Sequence, residues 1–140
     1  MDLAKITPDE CWQHLGKRVV GRIGFDLGHG PRIHPVNYRV DGTSVVLRTA
    51  EDSELARFIE LFSDGGLVAF EVDELDYEWH QGWSVMIEGQ IARVDDPEER
   101  RRLRAVWPRP WAEGERDLVA RVTPVEITGR RLGDPDAYAP

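Results

Sequence analysis

Arg48, Thr49 and Ser53 are the residues of this chain whose types and spacing best suit one chemistry, the holding of a phosphate group. They stand within Gly30 to Leu55, GPRIHPVNYRVDGTSVVLRTAEDSEL, which reads as two strands joined by a tight turn and then a helix. The second strand carries the Arg-Thr pair to the mouth of that helix, and Ser53 falls in its first turn. A guanidinium, two hydroxyls and helix N-terminal amides are the donors that phosphate oxygens accept from. The same spacing also fits an arginine at a strand end followed by an ordinary serine cap. Glu51, Asp52 and Glu54 crowd the terminus, where a phosphate meets repulsion of about 1 kcal/mol or more per nearby carboxylate. A phosphate there has to lean on Arg48, on amides, or on basic residues from elsewhere.

Two aromatic segments come next. In Gly82-Trp83-Ser84-Val85, a glycine before an aromatic at a strand start lets a planar ligand approach the backbone, and it equally fits a turn glycine beside a core tryptophan. In Trp107-Pro108-Arg109-Pro110-Trp111, two prolines stiffen an extended loop. Its tryptophans need cover, from a partner subunit, a flat ring system or the chain's own core. The four histidines, His14, His29, His34 and His80, have no metal-ligand spacing, and Cys11 with His14 supplies only two ligands. Cys11 reads as a buried small apolar residue. Glu71, Asp73, Glu74, Asp76 and Glu78 lack the glycine pivot of a calcium loop and read as part of a solvated acidic loop, Asp73 to His80. No nucleophile elbow, Walker loop or dinucleotide fingerprint occurs.

The elements that must position these residues follow from local signals. Thr7-Pro8-Asp9-Glu10 starts a helix that runs to about Leu15 and stops at Gly16. Strands are expected over Val19–Phe25, Ile33–Val40, Ser44–Arg48, Leu67–Val72 and Trp83–Val94, with a final one over Leu118–Leu132 broken at Pro124. Asp41-Gly42 is a hairpin signal, and Gly89 marks a bulge or bend. Helices are expected over Asp52–Phe62, with Leu55, Phe58, Ile59 and Phe62 on one face, and over Pro97–Val106. Six or so short strands in meander order with two or three helices predict a mainly β, α+β chain: an antiparallel barrel with helices at its ends. One domain over 1–132 and a flexible tail over 133–140 are expected.

Composition limits the partners. The 18 basic and 26 acidic residues of this 140-residue chain leave a net charge of -8, so non-specific nucleic-acid binding is not expected. The run Arg100-Arg101-Arg102-Leu103-Arg104 follows Asp95 to Glu99 and reads as the exposed face of a helix with acids first and bases last. The lone cysteine and the lack of any apolar run of roughly 20 residues point to a cytoplasmic protein outside the membrane.

In order along the chain, GRIGF (Gly21 to Phe25), PVNY (Pro35 to Tyr38), VVLRT (Val45 to Thr49), Ser53, VAFEVDELD (Val68 to Asp76), GWSVMIEG (Gly82 to Gly89), RPWAEG (Arg109 to Gly114) and ITGRRL (Ile127 to Leu132) resemble the pyridoxamine 5'-phosphate oxidase-like flavoproteins. This is the FMN-binding split-barrel family, and the likeness is to small bacterial members of nitroimidazole-resistance-like type. It covers about residues 8 to 132. The resemblance implies a dimeric split β-barrel, a homodimer with two flavin sites at the subunit interface. It implies FMN phosphate and ribityl contacts from Arg48, Thr49 and Ser53, and backbone contacts along the isoalloxazine edge from Pro35, Val36 and Asn37. Gly82, Trp83 and Ser84, with Trp111 reaching across the dimer, would enclose the ring. Glu54 stands where such relatives commonly carry lysine. The implied function is a flavin-dependent oxidoreductase acting on a small-molecule substrate. The alternatives are a reductase using the deazaflavin F-420 and a non-catalytic binder of flavin or haem.

Overall fold

The computed structural model describes residues 4–107 and 117–133. The element order is β1 (Ala4–Ile6), α1 (Pro8–Leu15), β2 (Val20–Asp26), β3 (Pro31–Asp41), β4 (Ser44–Ala50), α2 (Glu54–Leu61), β5 (Gly66–Asp76), β6 (Gln81–Arg93), α3 (Pro97–Val106) and β7 (Asp117–Leu132). All strand pairings are antiparallel, in the order β1-β7-β4-β3-β2-β5-β6, and β6 returns to β7 to close a six-strand barrel with β1 added outside it.

Local chemistry explains the element ends. Thr7 and Glu10 form a capping box, with the Thr7 hydroxyl accepting from the Glu10 amide at 3.2 Å. Asp96 caps α3 in the same way at 3.0 Å, and Pro97 opens that helix. The β3–β4 hairpin turns at Gly42, whose φ of +61° suits a residue without a side chain. Gly21 is packed so tightly that a Cβ would stand 2.5 Å from the Phe70 ring.

Three expectations need correction, and one strand is added. Strand β5 runs on to Asp76, so Asp73 to Asp76 belong to the sheet rather than to a loop. None of these four residues is buried, so no apolar alternation marks this end of the strand, and only its pairing with Gln81 to Ser84 of β6 defines it. Strand β7 is continuous through Pro124, because a register shift at Glu88/Gly89 takes up the irregularity. Trp107 is buried at the end of α3 against Val46, Val94, Leu103 and Val119 rather than exposed on a loop. The short strand β1 pairs Ala4–Ile6 with Gly129–Arg131 and has too few residues to signal itself.

Inward residues of the barrel strands form the main core with Leu55, Ala56, Phe58 and Ile59 of α2 and with Cys11 and Leu15 of α1. Tyr38 points into it and donates its buried hydroxyl to the Leu15 carbonyl at 2.6 Å, holding the end of α1. Burial pushes the phenol's pKa up. Cys11 is fully buried, as expected, and burial raises its thiol pKa too.

Helix α3 lies against the outer face of β4 and β7, and a charge network ties it down. Arg102 holds Asp41 with two hydrogen bonds of 3.1 and 2.8 Å, and Arg121 adds a third at 2.8 Å while also pairing with Glu99. Hydrogen bonds from Arg102 and then Arg121 hold the Asp41 carboxyl down at about 2. A folded-state pKa below the unfolded one stabilises the fold above about pH 4, and that contribution disappears as pH falls through 2. Asp41→Asn should therefore cost about 1–2 kcal/mol at pH 7 and almost nothing at pH 2. Urea unfolding at the two pH values measures the difference.

Candidate functional site

Strand alternation sends the two members of the Arg-Thr pair to opposite faces of β4. Val45, Leu47 and Thr49 face inward, and Val46 and Arg48 face outward beneath α3. The Arg48 guanidinium lies over the Trp107 ring, 5.5 Å from its centroid, a cation–π geometry that gives the ring a polar neighbour. Asn37, only 5% exposed, stands directly opposite Arg48 on β3.

Thr49 and Ser53 do meet. Their hydroxyls are 2.8 Å apart, and the Ser53 oxygen accepts from the Ala56 amide at 3.0 Å as the N-cap of α2. The structural and ligand-binding readings of Ser53 are thus compatible. The hydroxyl pair closes the helix terminus, with Arg48 one residue away on the other face.

The acids at this terminus have partners that local sequence does not reveal. Glu51 accepts two hydrogen bonds from Arg93 of β6, at 2.7 and 3.1 Å. Glu54 lies 3.2 Å from His34 Nε2 and 3.5 Å from Arg32 Nε, both from β3. The charges of Glu51 and Glu54 are therefore partly offset by Arg93 and Arg32, supplied from other strands. Arg48 and Asn37 thus share the outer face, and the Thr49–Ser53 hydroxyl pair at the α2 terminus lies on the other.

Pro35 to Asn37 divide in the same way as β4. Val36 points into the core, so only its backbone is available, whereas Pro35 and Asn37 face out. Strand β2 pairs with β3 as far as Pro31, but β4 leaves it after the Asn37–Arg48 pair. The peptide groups of Pro31 to Val36 on the β4 side are thus not taken up by that strand. A planar ligand's polar edge needs such an exposed edge.

Gly82, Trp83 and Ser84 lie elsewhere. They pair with Leu75, Glu74 and Asp73 of β5 and with Leu132, Arg131 and Arg130 of β7. Going round the barrel, β3, β2 and β5 lie between them and β4 on one side and β7 alone on the other. Along β7, the partner of Trp83 (Arg131) follows the partner of Arg48 (Val119) by roughly 40 Å of strand contour. Within one chain the two groups do not line one pocket. Trp83 is a core residue, with its ring stacked on His14 at 4.4 Å and its indole nitrogen donating to Glu74 at 3.2 Å. A Cβ on Gly82 would collide with the Glu74 carbonyl, so this glycine permits a close backbone approach within the sheet. Beside them, a cavity of about 340 Å³ opens among Ile6, His14, Glu74, Gly82, Trp83 and Arg131. Its His14 has an Nδ1 buried without a hydrogen-bond partner among the described residues, and desolvation lowers its pKa. Sequence reasoning missed His14, Arg32, His34 and Arg93, because each reaches its position through long-range pairing. Trp111 lies outside the described residues.

Among the described residues no helix is long and apolar enough to cross a membrane, and no group of three or more metal-ligating side chains converges. An antiparallel six-strand barrel with three short helices defines a split-barrel protein. The chain belongs to the pyridoxamine 5'-phosphate oxidase family, whose model matches residues 7–131. It is 31% identical over 132 residues to the uncharacterized protein Rv0080 of Mycobacterium tuberculosis, covering 94% of this chain and 86% of that one. Among solved structures, it superposes on an FAD binding protein from Mycobacterium smegmatis with a TM-score of 0.77 at 30% identity, covering 92% of this chain and 98% of that one. An FAD-binding protein from Mesorhizobium loti shares the fold, at TM-score 0.77 and 17% identity, over 95% of this chain and all of the other (100%).

The cap on α2 is directly testable. Ser53→Ala removes both the acceptor for the Ala56 amide and the partner of Thr49, and should lower stability by about 1 kcal/mol. A fall in urea midpoint at unchanged slope is the expected result.

Proposed function

We propose that this chain is a flavin-binding oxidoreductase that works as a homodimer, taking FMN or the FMN portion of FAD and acting on a small-molecule substrate. The observation that carries the reading is the outward row of Arg48 and Asn37, placed over Trp107 and next to the capped terminus of α2. Arg48 supplies a permanent cation for the flavin phosphate, and Thr49 with Ser53 supplies hydroxyls toward the phosphate and ribityl chain. The edge of β3 that β4 leaves uncovered, which includes Pro35 and Val36 next to Asn37, suits the polar rim of the isoalloxazine. The likeness to an FAD binding protein at 30% identity supports a flavin in particular.

Glu54 stands where relatives commonly carry lysine, and its pairing with Arg32 and His34 makes it tolerable near an anion. Gly82 and Ser84 would meet the ring from a second copy, because within one chain they lie far along β7 from Arg48, and Trp83 would back them from the core, where it is held under His14. Trp111 is assigned to the same enclosure across the dimer. When bound, the flavin would supply the hydride or electron-pair chemistry, and the protein's share is position, charge and exclusion of water.

The test is equilibrium titration of the purified chain with FMN, FAD and F-420, followed by its visible absorption spectrum after removal of excess ligand. A retained flavin band released on denaturation is expected. Arg48→Ala should weaken flavin binding by about tenfold or more, as the loss of a charge-assisted contact implies. An unchanged dissociation constant removes Arg48 from the phosphate site. Retention of F-420 alone makes the chain a deazaflavin reductase. A bound flavin that no electron donor reduces makes it a non-catalytic binder.

A further inference from the structure

The outer face of β3, β4 and β7, where α3 lies, gathers arginines. Arg102 of α3 and Arg121 of β7 are held by Asp41, and Arg121 by Glu99 as well. Arg39 of β3 is left out of these pairs. Tyr38 and Val40 on either side of it pack into the barrel core, so strand alternation turns Arg39 outward, between Asn37 and Asp41. It is half-buried, and its Nε is buried without a hydrogen-bond partner among the described residues. The only carboxylate of β3, Asp41, already accepts three hydrogen bonds from Arg102 and Arg121. A guanidinium withdrawn from water without a counter-charge is costly, since nothing offsets the lost hydration. In a chain with 26 acidic residues against 18 basic ones, an arginine kept in this state calls for an anion from outside the chain.

Position says which anion. Arg39 pairs with Val46 and Asn37 with Arg48, so the two arginines stand at diagonal positions of neighbouring strands, about 7–8 Å apart. Asn37, two residues before Arg39 and 5% exposed, lies between them. Val46, fully buried, and the Trp107 ring beside Arg48 make the surroundings apolar, which strengthens charge pairing. Strand β2 begins at Val20, opposite Asn37, so no β2 partner stands beside Arg39. One guanidinium fork satisfies a carboxylate. Two forks from different strands match a phosphate monoester, which carries about −1.5 to −2 charges on three oxygens. The Thr49–Ser53 hydroxyls are on the other face of β4 and bring no charge.

We infer that Arg39 is the second cation of the phosphate site, and that with Arg48 and Asn37 it holds the phosphate of the flavin on the outer face. The inference rests on the flavin reading above and deepens it. It makes Arg39 a determinant of specificity, favouring a phosphorylated flavin over the same ring and ribityl chain without phosphate.

Equilibrium titration of the full chain with FMN and with riboflavin, which lacks the phosphate, tests this. The unaltered chain should bind FMN more tightly. Arg39→Gln should weaken FMN binding about tenfold or more, as the loss of a charge-assisted contact implies, and leave riboflavin unchanged. Arg39→Lys keeps the charge without the fork and should recover part of the loss. Equal weakening of FMN and riboflavin makes Arg39 a support of the fold and overturns the inference, as does an unchanged FMN constant; in both cases flavin binding stands. An Arg39→Lys variant no better than Arg39→Gln removes charge as the reason and overturns it too. A loss of FMN affinity that appears only as a dimer dissociates in sedimentation assigns Arg39 to a carboxylate of a second copy, again against the inference. If the unaltered chain binds neither compound, the flavin reading falls and inorganic phosphate becomes the probe. A thermal midpoint that phosphate raises in the unaltered chain and not in Arg39→Gln then upholds the anion site, and equal midpoint shifts overturn it.

Discussion

The barrel depends on β7 being paired along both edges. Its sixteen residues hold β6 along nearly their whole length, β4 over the first part and β1 over the last. Without that strand, β4 and β6 would be open edges, and the inward side chains of six strands would face water. The register shift at Gly89 lets so long a strand bend round the barrel while Pro124, which has no amide hydrogen to donate, stays within it. Helix placement follows from closure. Helices α1 and α2 add their apolar faces to the barrel core, and α3 covers the outside where β7 meets β4.

Closure combined with alternation decides what each motif can do. In VVLRT, Leu47 builds the core while Arg48 faces out to Trp107. In PVNY, Val36 and Tyr38 are structural, and Pro35 and Asn37 remain on the outer face. In GWSV, Trp83 is locked under His14. The Arg48 and Gly82–Ser84 regions are held apart by the length of β7, which pairs with Arg48 at Val119 and with Trp83 at Arg131. A ligand that needs both regions requires more than one chain.

Electrostatics at the α2 terminus shows how far local sequence can mislead. Glu51, Asp52 and Glu54 read as a barrier to any anion, a fair inference from neighbours alone. Arg93 arrives from β6 and holds Glu51, while Arg32 and His34 arrive from β3 and hold Glu54. These pairs are partly exposed, so each contributes little to stability. Their effect is on the local field, which decides whether a phosphate can approach.

Most of the elements were legible because their signals are local: the Thr7 and Asp96 caps, the Asp41-Gly42 turn, the apolar face of α2 and the alternation in β2 and β6 all act within a few residues. Arg48, Thr49 and Ser53 stood out for the same reason, and the structure joins the hydroxyls of Thr49 and Ser53 while turning Arg48 to the other face of β4. Beyond that, the sequence by itself determined which side chains share a strand face, because alternation has a fixed period of two. Only the tertiary structure decided that β5 extends through its acidic end, that β1 joins β7, that Trp107 lies beneath Arg48, and that Trp83 sits far from both. Each of these depends on pairing between residues distant along the chain. The register of such pairs is set by closing the barrel, and no short window of sequence contains that constraint.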